Sequence, residues 1–137
     1  MTTRTQAPPG GRPRVLIVDD ERQVAELLQE CVGPDYAAEI ALRGADALAA
    51  ARRARPDVVL LDVNMPGMSG VEVLHELRTL DATIPVIMVT ATPDHSAVAE
   101  ALRLGAFSYI PKPFSVKYIK HLVAAALTER ARGPRKA

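Results

Sequence analysis

Three short runs in this chain combine β-branched residues with unbroken apolarity: Val15-Leu16-Ile17-Val18, Val58-Val59-Leu60-Leu61 and Val86-Ile87-Met88-Val89. A strand with one wet face alternates apolar and polar residues, whereas a strand covered on both faces has no need to. Runs this short do not make helices, so they read as strands buried above and below. Parallel strands must be joined by crossovers, and the intervals between the runs carry the spacing of amphipathic helices. Such a chain is restricted to an α/β fold in which helices cover both faces of a parallel sheet.

The first run ends at Asp19-Asp20, after which Val24, Leu27, Leu28 and Cys31 recur at i, i+3, i+4 and i+7, one helix face that Gly33-Pro34 terminates. A weaker strand over 37–41 leads to a second helix over 45–53, and Arg52, Arg53 and Arg55 suit its C-terminal end. The third strand ends at Asp62 and opens the loop Val63-Asn64-Met65-Pro66-Gly67-Met68. Ser69 with Glu72 predicts a capping box for a helix carrying Val71, Leu74 and Leu77. A fourth strand, 85–89, ends at Thr90, and a less apolar helix over 94–104 closes at Gly105. A short strand over 107–110 ends at Lys112, and the last helix shows Ile119, Leu122, Val123, Ala126 and Leu127 on one face. Strict alternation with right-handed crossovers predicts a doubly wound three-layer fold; among its possible windings the one expected is the flavodoxin-like (βα)5 sandwich, its parallel five-stranded sheet in the order 2-1-3-4-5.

With 137 residues, 48% of them hydrophobic, the chain is the size of one domain with a real core. The expected division is a flexible leader over 1–13, which carries Pro8, Pro9, Gly10, Gly11 and Pro13, a folded domain over 14–130 and a basic flexible tail over 131–137. A net charge of +1 with the signs interspersed argues for neither nucleic acid nor a membrane surface. No stretch approaches the roughly 20 apolar residues of a membrane span. The single cysteine, Cys31, excludes an internal disulfide and reads as a small buried hydrophobe, in keeping with a cytoplasmic location.

In an open parallel sheet the binding crevice lies beyond the carboxyl ends of the strands. Asp19 and Asp20 follow strand one there, Asp62 strand three, Thr90 strand four and Lys112 strand five. Each has a bland explanation alone: Asp20 as an N-cap reaching Gln23, Thr90 as a turn cap, Lys112 as a surface lysine. Together they bring three carboxylates, a hydroxyl and an ammonium to one sheet edge, where the carboxylates would repel and raise one another's pKa. A hard divalent cation, Mg²⁺ above all, answers that crowding. One carboxylate can then attack phosphorus, with the metal and Lys112 facing phosphoryl oxygens and Thr90 donating to another. Asp62, entering a loop rich in Pro and Gly, is the best nucleophile, and Asp19 and Asp20 are better placed as ligands.

These residues resemble the receiver domains of bacterial two-component response regulators. The resemblance is carried by Val15-Leu16-Ile17-Val18-Asp19-Asp20-Glu21, by Asp62 with Asn64-Met65-Pro66 and Gly70, by Thr90-Ala91, and by Gly105 through Phe114 with Tyr109, Lys112 and Pro113. It implies that Asp62 is the phospho-acceptor, taking its phosphoryl group from a sensor histidine kinase or phosphotransfer protein. It implies that Asp20, Asp62 and the backbone carbonyl of Asn64 bind Mg²⁺, with Asp19 assisting through a water. Thr90 and Lys112 are similar to the family's phosphate-sensing pair, Tyr109 to its switch aromatic, and the Lys112-Pro113 bond to one held in cis. The implied output is a changed surface of the fourth helix, fifth strand and fifth helix, read by a downstream protein or a second copy. Catalysis is then confined to the domain's own phosphorylation and dephosphorylation. Asn64 and Thr92 occupy positions that tune phosphoryl lifetime in the family, and neither is a carboxylate that would serve as an extra base.

Two rivals remain at this level. A haloacid-dehalogenase-like phosphatase also uses a strand-end aspartate with Mg²⁺ but wants a second aspartate two residues on, where this chain has Asn64. A flavodoxin-like binding module wants a Gly-rich phosphate loop after strand one, where Asp19-Asp20-Glu21 stands. His75, His95 and His121 have no metal-ligand spacing with one another.

Overall fold

A computed structural model describes residues 11–90 and 95–131. Most of the expected leader, Thr92, the expected helix start at Asp94, the His95 side chain and the tail from 132 onward lie outside the described residues. Strands and helices alternate as β1 (Arg14–Val18), α1 (Arg22–Val32), β2 (Ala37–Ala41), α2 (Gly44–Arg53), β3 (Val58–Asp62), α3 (Gly70–Leu80), β4 (Val86–Thr90), α4 (His95–Arg103), β5 (Ser108–Pro111) and α5 (Val116–Ala131). The sheet is parallel throughout, in the order β2-β1-β3-β4-β5.

The uninterrupted apolar runs are explained by two cores, one on each face of the sheet. Leu16, Val18, Val59, Leu61, Val86 and Met88 point to the face covered by α2, α3 and α4. Val15, Ile17, Val58, Leu60, Ile87 and Val89 point to the face covered by α1 and α5. Every residue of β3 and β4 is buried, while the edge strands β2 and β5 are only partly covered. Since β1 pairs with β2 on one side and β3 on the other, the chain reverses its winding between β1 and β3, which opens a crevice above their carboxyl ends.

Several expectations need correction in detail. Leu27 was expected in the core face of α1 and is 49% exposed; the helix turns Ala25, Leu28, Cys31 and Val32 inward, and Leu27 lies about 100° round from Leu28. Asp20 does not cap α1, whose N-cap residue is Glu21 without a side-chain cap. The fifth strand is Ser108–Pro111, one residue later than expected, with Phe107 packed beneath it in the α1/α5 core. The expected capping box of α3 is present: Glu72 N donates to Ser69 Oγ at 3.2 Å and Ser69 N to Glu72 Oε1 at 2.8 Å. Arg130, the last residue of the expected folded domain, has a side chain only 19% exposed and paired with Asp57 and Asp81.

Candidate functional site

Hydrogen-bond register brings the chemistry-bearing residues to one edge. Asp62 ends β3 opposite Val89 of β4, and Thr90 ends β4 opposite Pro111, next to Lys112. Lys112 N donates to Thr90 O at 2.7 Å, which ties the residue after β5 to the end of β4. Its peptide bond to Pro113 is cis. Beyond β3, the loop returns tightly: Gly70 N donates to Val63 O at 3.0 Å, and a Cβ on Gly70 would lie 2.2 Å from the Asp62 carbonyl oxygen. Only glycine admits this approach, and it holds the first turn of α3 against the acid-bearing strand end.

Carboxylate oxygens of Asp19, Asp20 and Asp62 all lie within 4.8 Å of one another. Asp19 and Asp62 are buried and Asp20 faces solvent, so the cluster has a dry floor and a wet mouth. Lys112 Nζ sits 3.1 Å from Asp19 Oδ2 and 3.9 Å from Asp62 Oδ1. The ammonium is thus paired with the two buried carboxylates of the three. Asp19 also accepts a hydrogen bond from Glu21 N at 3.0 Å, and Asp62 a longer one from Asn64 N at 3.4 Å. Asp62 is left short of compensation: burial first, then the Asp19 charge, push its pKa up to about 7, against the opposing pull of Lys112 and the Asn64 amide, and Asp20 adds to the rise.

The two remaining candidates share one face of the sheet. Thr90 is buried and, like Met88, belongs to the α4 side of β4; Tyr109 pairs with Met88 and emerges on that side of β5. Tyr109 is 39% exposed. The structure therefore assembles Asp19, Asp20, Asp62, Lys112 and Thr90 at one edge and sets Tyr109 two residues below Thr90 on the neighbouring strand. Sequence reasoning missed the Glu21 amide that fixes Asp19, since a backbone donor leaves no signal in residue type. It also missed a second charged group, Asp57, Asp81, Thr83 and Arg130, at the opposite end of the strands. Pro56-Asp57 and Asp81 flanking the strands were the available hint there.

A family model for the response regulator receiver domain matches residues 15–124. The DNA-binding response regulator MtrA of Mycolicibacterium paratuberculosis is 41% identical over 117 residues, which are 85% of this chain and 52% of that protein. The regulatory protein AtoC of Escherichia coli is 39% identical over 115 residues, 83% of this chain and 25% of that protein. The chain thus spans about half the length of its MtrA relatives. Among solved structures, a CheY-like receiver domain protein from Methanospirillum hungatei superposes with a TM-score of 0.84 at 27% identity, covering 90% of this chain and 99% of that one. The receiver domain of NtrX from Brucella abortus gives 0.79 at 27% identity, over 83% and 98%. With a family model over residues 15–124, relatives about 40% identical and the same fold in solved receiver domains, the chain belongs to the response-regulator receiver domains of two-component systems.

Proposed function

We propose that Asp62 is the residue that accepts the phosphoryl group, delivered by the phosphohistidine of a sensor histidine kinase or phosphotransfer protein. The observation that carries this reading is the convergence of three carboxylates within 4.8 Å, with the Lys112 ammonium beside two of them. An all-oxygen donor set with one solvent-facing side fits Mg²⁺, which keeps several waters and takes few carboxylates. Asp20, Asp62 and the backbone carbonyl of Asn64 would hold the ion, with Asp19 acting through a water. When bound, it offsets the charge of the acids and of the phosphoryl oxygens.

The residues of the chain then divide the work. An Asp62 carboxylate oxygen forms the bond to phosphorus as the P–N bond of the donor breaks, and the electron pair leaves with the imidazole nitrogen. Lys112 already stands beside both Asp19 and Asp62, so a small movement brings its ammonium onto an oxygen of the new acyl phosphate. Thr90 supplies a hydroxyl from the adjacent strand end. The Thr90–Tyr109 face, and with it the α4-β5-α5 surface, responds and engages a downstream protein or a second copy. Catalysis is limited to the domain's own phosphorylation and dephosphorylation, and the setting is the cytoplasm, where the free thiol of Cys31 stays reduced. No observation favours a phosphatase, because position 64 carries an amide that cannot act as a general acid. Treatment with a small phosphoramidate and Mg²⁺ is expected to give a product cleaved by hydroxylamine and by base, as an acyl phosphate is. A base-stable phosphoester on Ser or Thr contradicts the proposal.

A further inference from the structure

At the amino ends of the strands lies a second cluster of charged side chains, unconnected with the phosphoryl chemistry. Arg130, in the last turn of α5, uses all three guanidinium nitrogens: Nη1 donates to Thr83 Oγ1 at 2.9 Å, Nε lies 3.5 Å from Asp57 Oδ1, and Nη2 lies 3.9 Å from Asp81 Oδ2. Its partners are fixed in turn. Asp57 Oδ2 accepts from Arg14 N at the start of β1 (2.8 Å), while Asp81 Oδ1 accepts from Thr83 N (3.0 Å) and Thr83 Oγ1 (2.6 Å). Arg55 Nε stands 3.9 Å from Asp81 Oδ2, and the surrounding donors and cations overcome burial to hold the Asp81 carboxyl below its usual range. One side chain of α5 is thereby bolted to the entries of β1, β3 and β4.

A planar guanidinium shared among three groups on two loops is geometrically determined in a way that a flexible ammonium is not. It also opposes the carbonyl end of its own helix, which favours a cation. We propose that Arg130 is the anchor of α5: it fixes the last turn of the helix to the amino-end pole of the sheet, so that rearrangement at the phosphoryl end dies out along α5 instead of displacing the helix as a whole. From Asp57 to Asp62 is five residues of extended chain, roughly 16 Å, so the anchor stands well away from the reacting atoms. The second half of this inference rests on the proposed phosphorylation of Asp62; the first half does not.

Amide exchange of residues 124–131 in the unphosphorylated protein reads the anchor alone. Arg130→Met is expected to speed exchange there about tenfold or more, with Arg130→Lys in between, and with the rate of phosphorylation unaltered. After phosphodonor treatment, the wild type should keep its protection over 124–131, and in Arg130→Met the response should spread into that turn. Equal exchange in wild type and both variants overturns the anchor. A wild-type response that already runs through residue 131 overturns its role as the fixed end. Because Thr83→Val removes one partner without touching α5, a smaller loss of protection in that variant supports the anchor even if Arg130→Met folds poorly, and an unchanged turn counts against it. Absence of any phosphorylated product sinks the Asp62 assignment and leaves the first comparison standing.

Discussion

Asp62 is held in an environment that opposes its own charge, and this has a sign that solution measurements can read. A pKa raised from 3.8 to about 7 means that the native protein binds this proton more tightly than the unfolded chain does. The group's stabilising contribution is therefore complete below the unfolded value and declines as pH rises toward 7, after which it is flat. At about 1.4 kcal/mol per pKa unit, the ionised site costs up to about 4 kcal/mol without metal. Asp62→Asn removes the cost, so in EDTA at pH 8 the variant is expected to be more stable than wild type by about 2 kcal/mol or more, the gain shrinking at pH 5.5. Urea denaturation at the two pH values checks this, and a variant less stable than wild type at pH 8 contradicts it. At this scale the sequence was informative about identity and silent about degree. It placed Asp19, Asp20, Asp62, Thr90 and Lys112 at one edge. It had no means of showing that Lys112 lies nearer Asp19 than Asp62, because that depends on a backbone turn.

Among the elements, α4 is the one that the proposed switch would move. Among its described side chains Val98 and Ala101 are buried and Ala97 is partly covered, as is Leu104 just past its end, so it is lightly held against the sheet. Thr90 and Tyr109 lie on this helix's side of adjacent strands, and in the proposed switch the hydroxyl, drawn toward a phosphoryl oxygen, would vacate space into which the Tyr109 ring turns. A full switch from 1:99 to 99:1 needs about 5.5 kcal/mol of differential binding. One hydrogen bond of ~1 kcal/mol supplies part of it, so Thr90→Ala should still be phosphorylated but with the switched-to-unswitched ratio lowered about fivefold. Amide exchange across residues 95–122, with and without phosphodonor, measures that ratio, and a variant responding as fully as wild type rules the coupling out. Element types were legible from periodicity because buried strands and amphipathic helices leave different patterns. Boundaries were less so. Leu27 fits the apolar spacing of α1 and still faces solvent, since apolar stripes are wider than the area a neighbouring helix covers. Phe107 reads as strand and instead packs just before β5.

For the molecule as a whole, the parallel sheet sorts function by pole. Strand carboxyl ends gather the acids, the hydroxyl and the lysine, and strand amino ends gather the Arg130 cluster, with two apolar cores between them. The three-layer parallel architecture was legible in the sequence, because uninterrupted apolar runs demand cover on both faces, and the order 2-1-3-4-5 was one of the few windings that short right-handed crossovers leave. The Arg130 cluster was not, since an arginine near a basic chain end reads as solvated until the loops carrying Asp57 and Asp81 are seen to converge on it. Everything proposed for the carboxyl-end pole depends on Asp62 taking a phosphoryl group. Intact mass after incubation with a small phosphodonor, for wild type and Asp62→Asn, each with Mg²⁺ and with EDTA, tests this most directly. Only wild type with Mg²⁺ is expected to gain the mass of one phosphoryl group; the same gain in Asp62→Asn, or in EDTA, would contradict phosphorylation at Asp62.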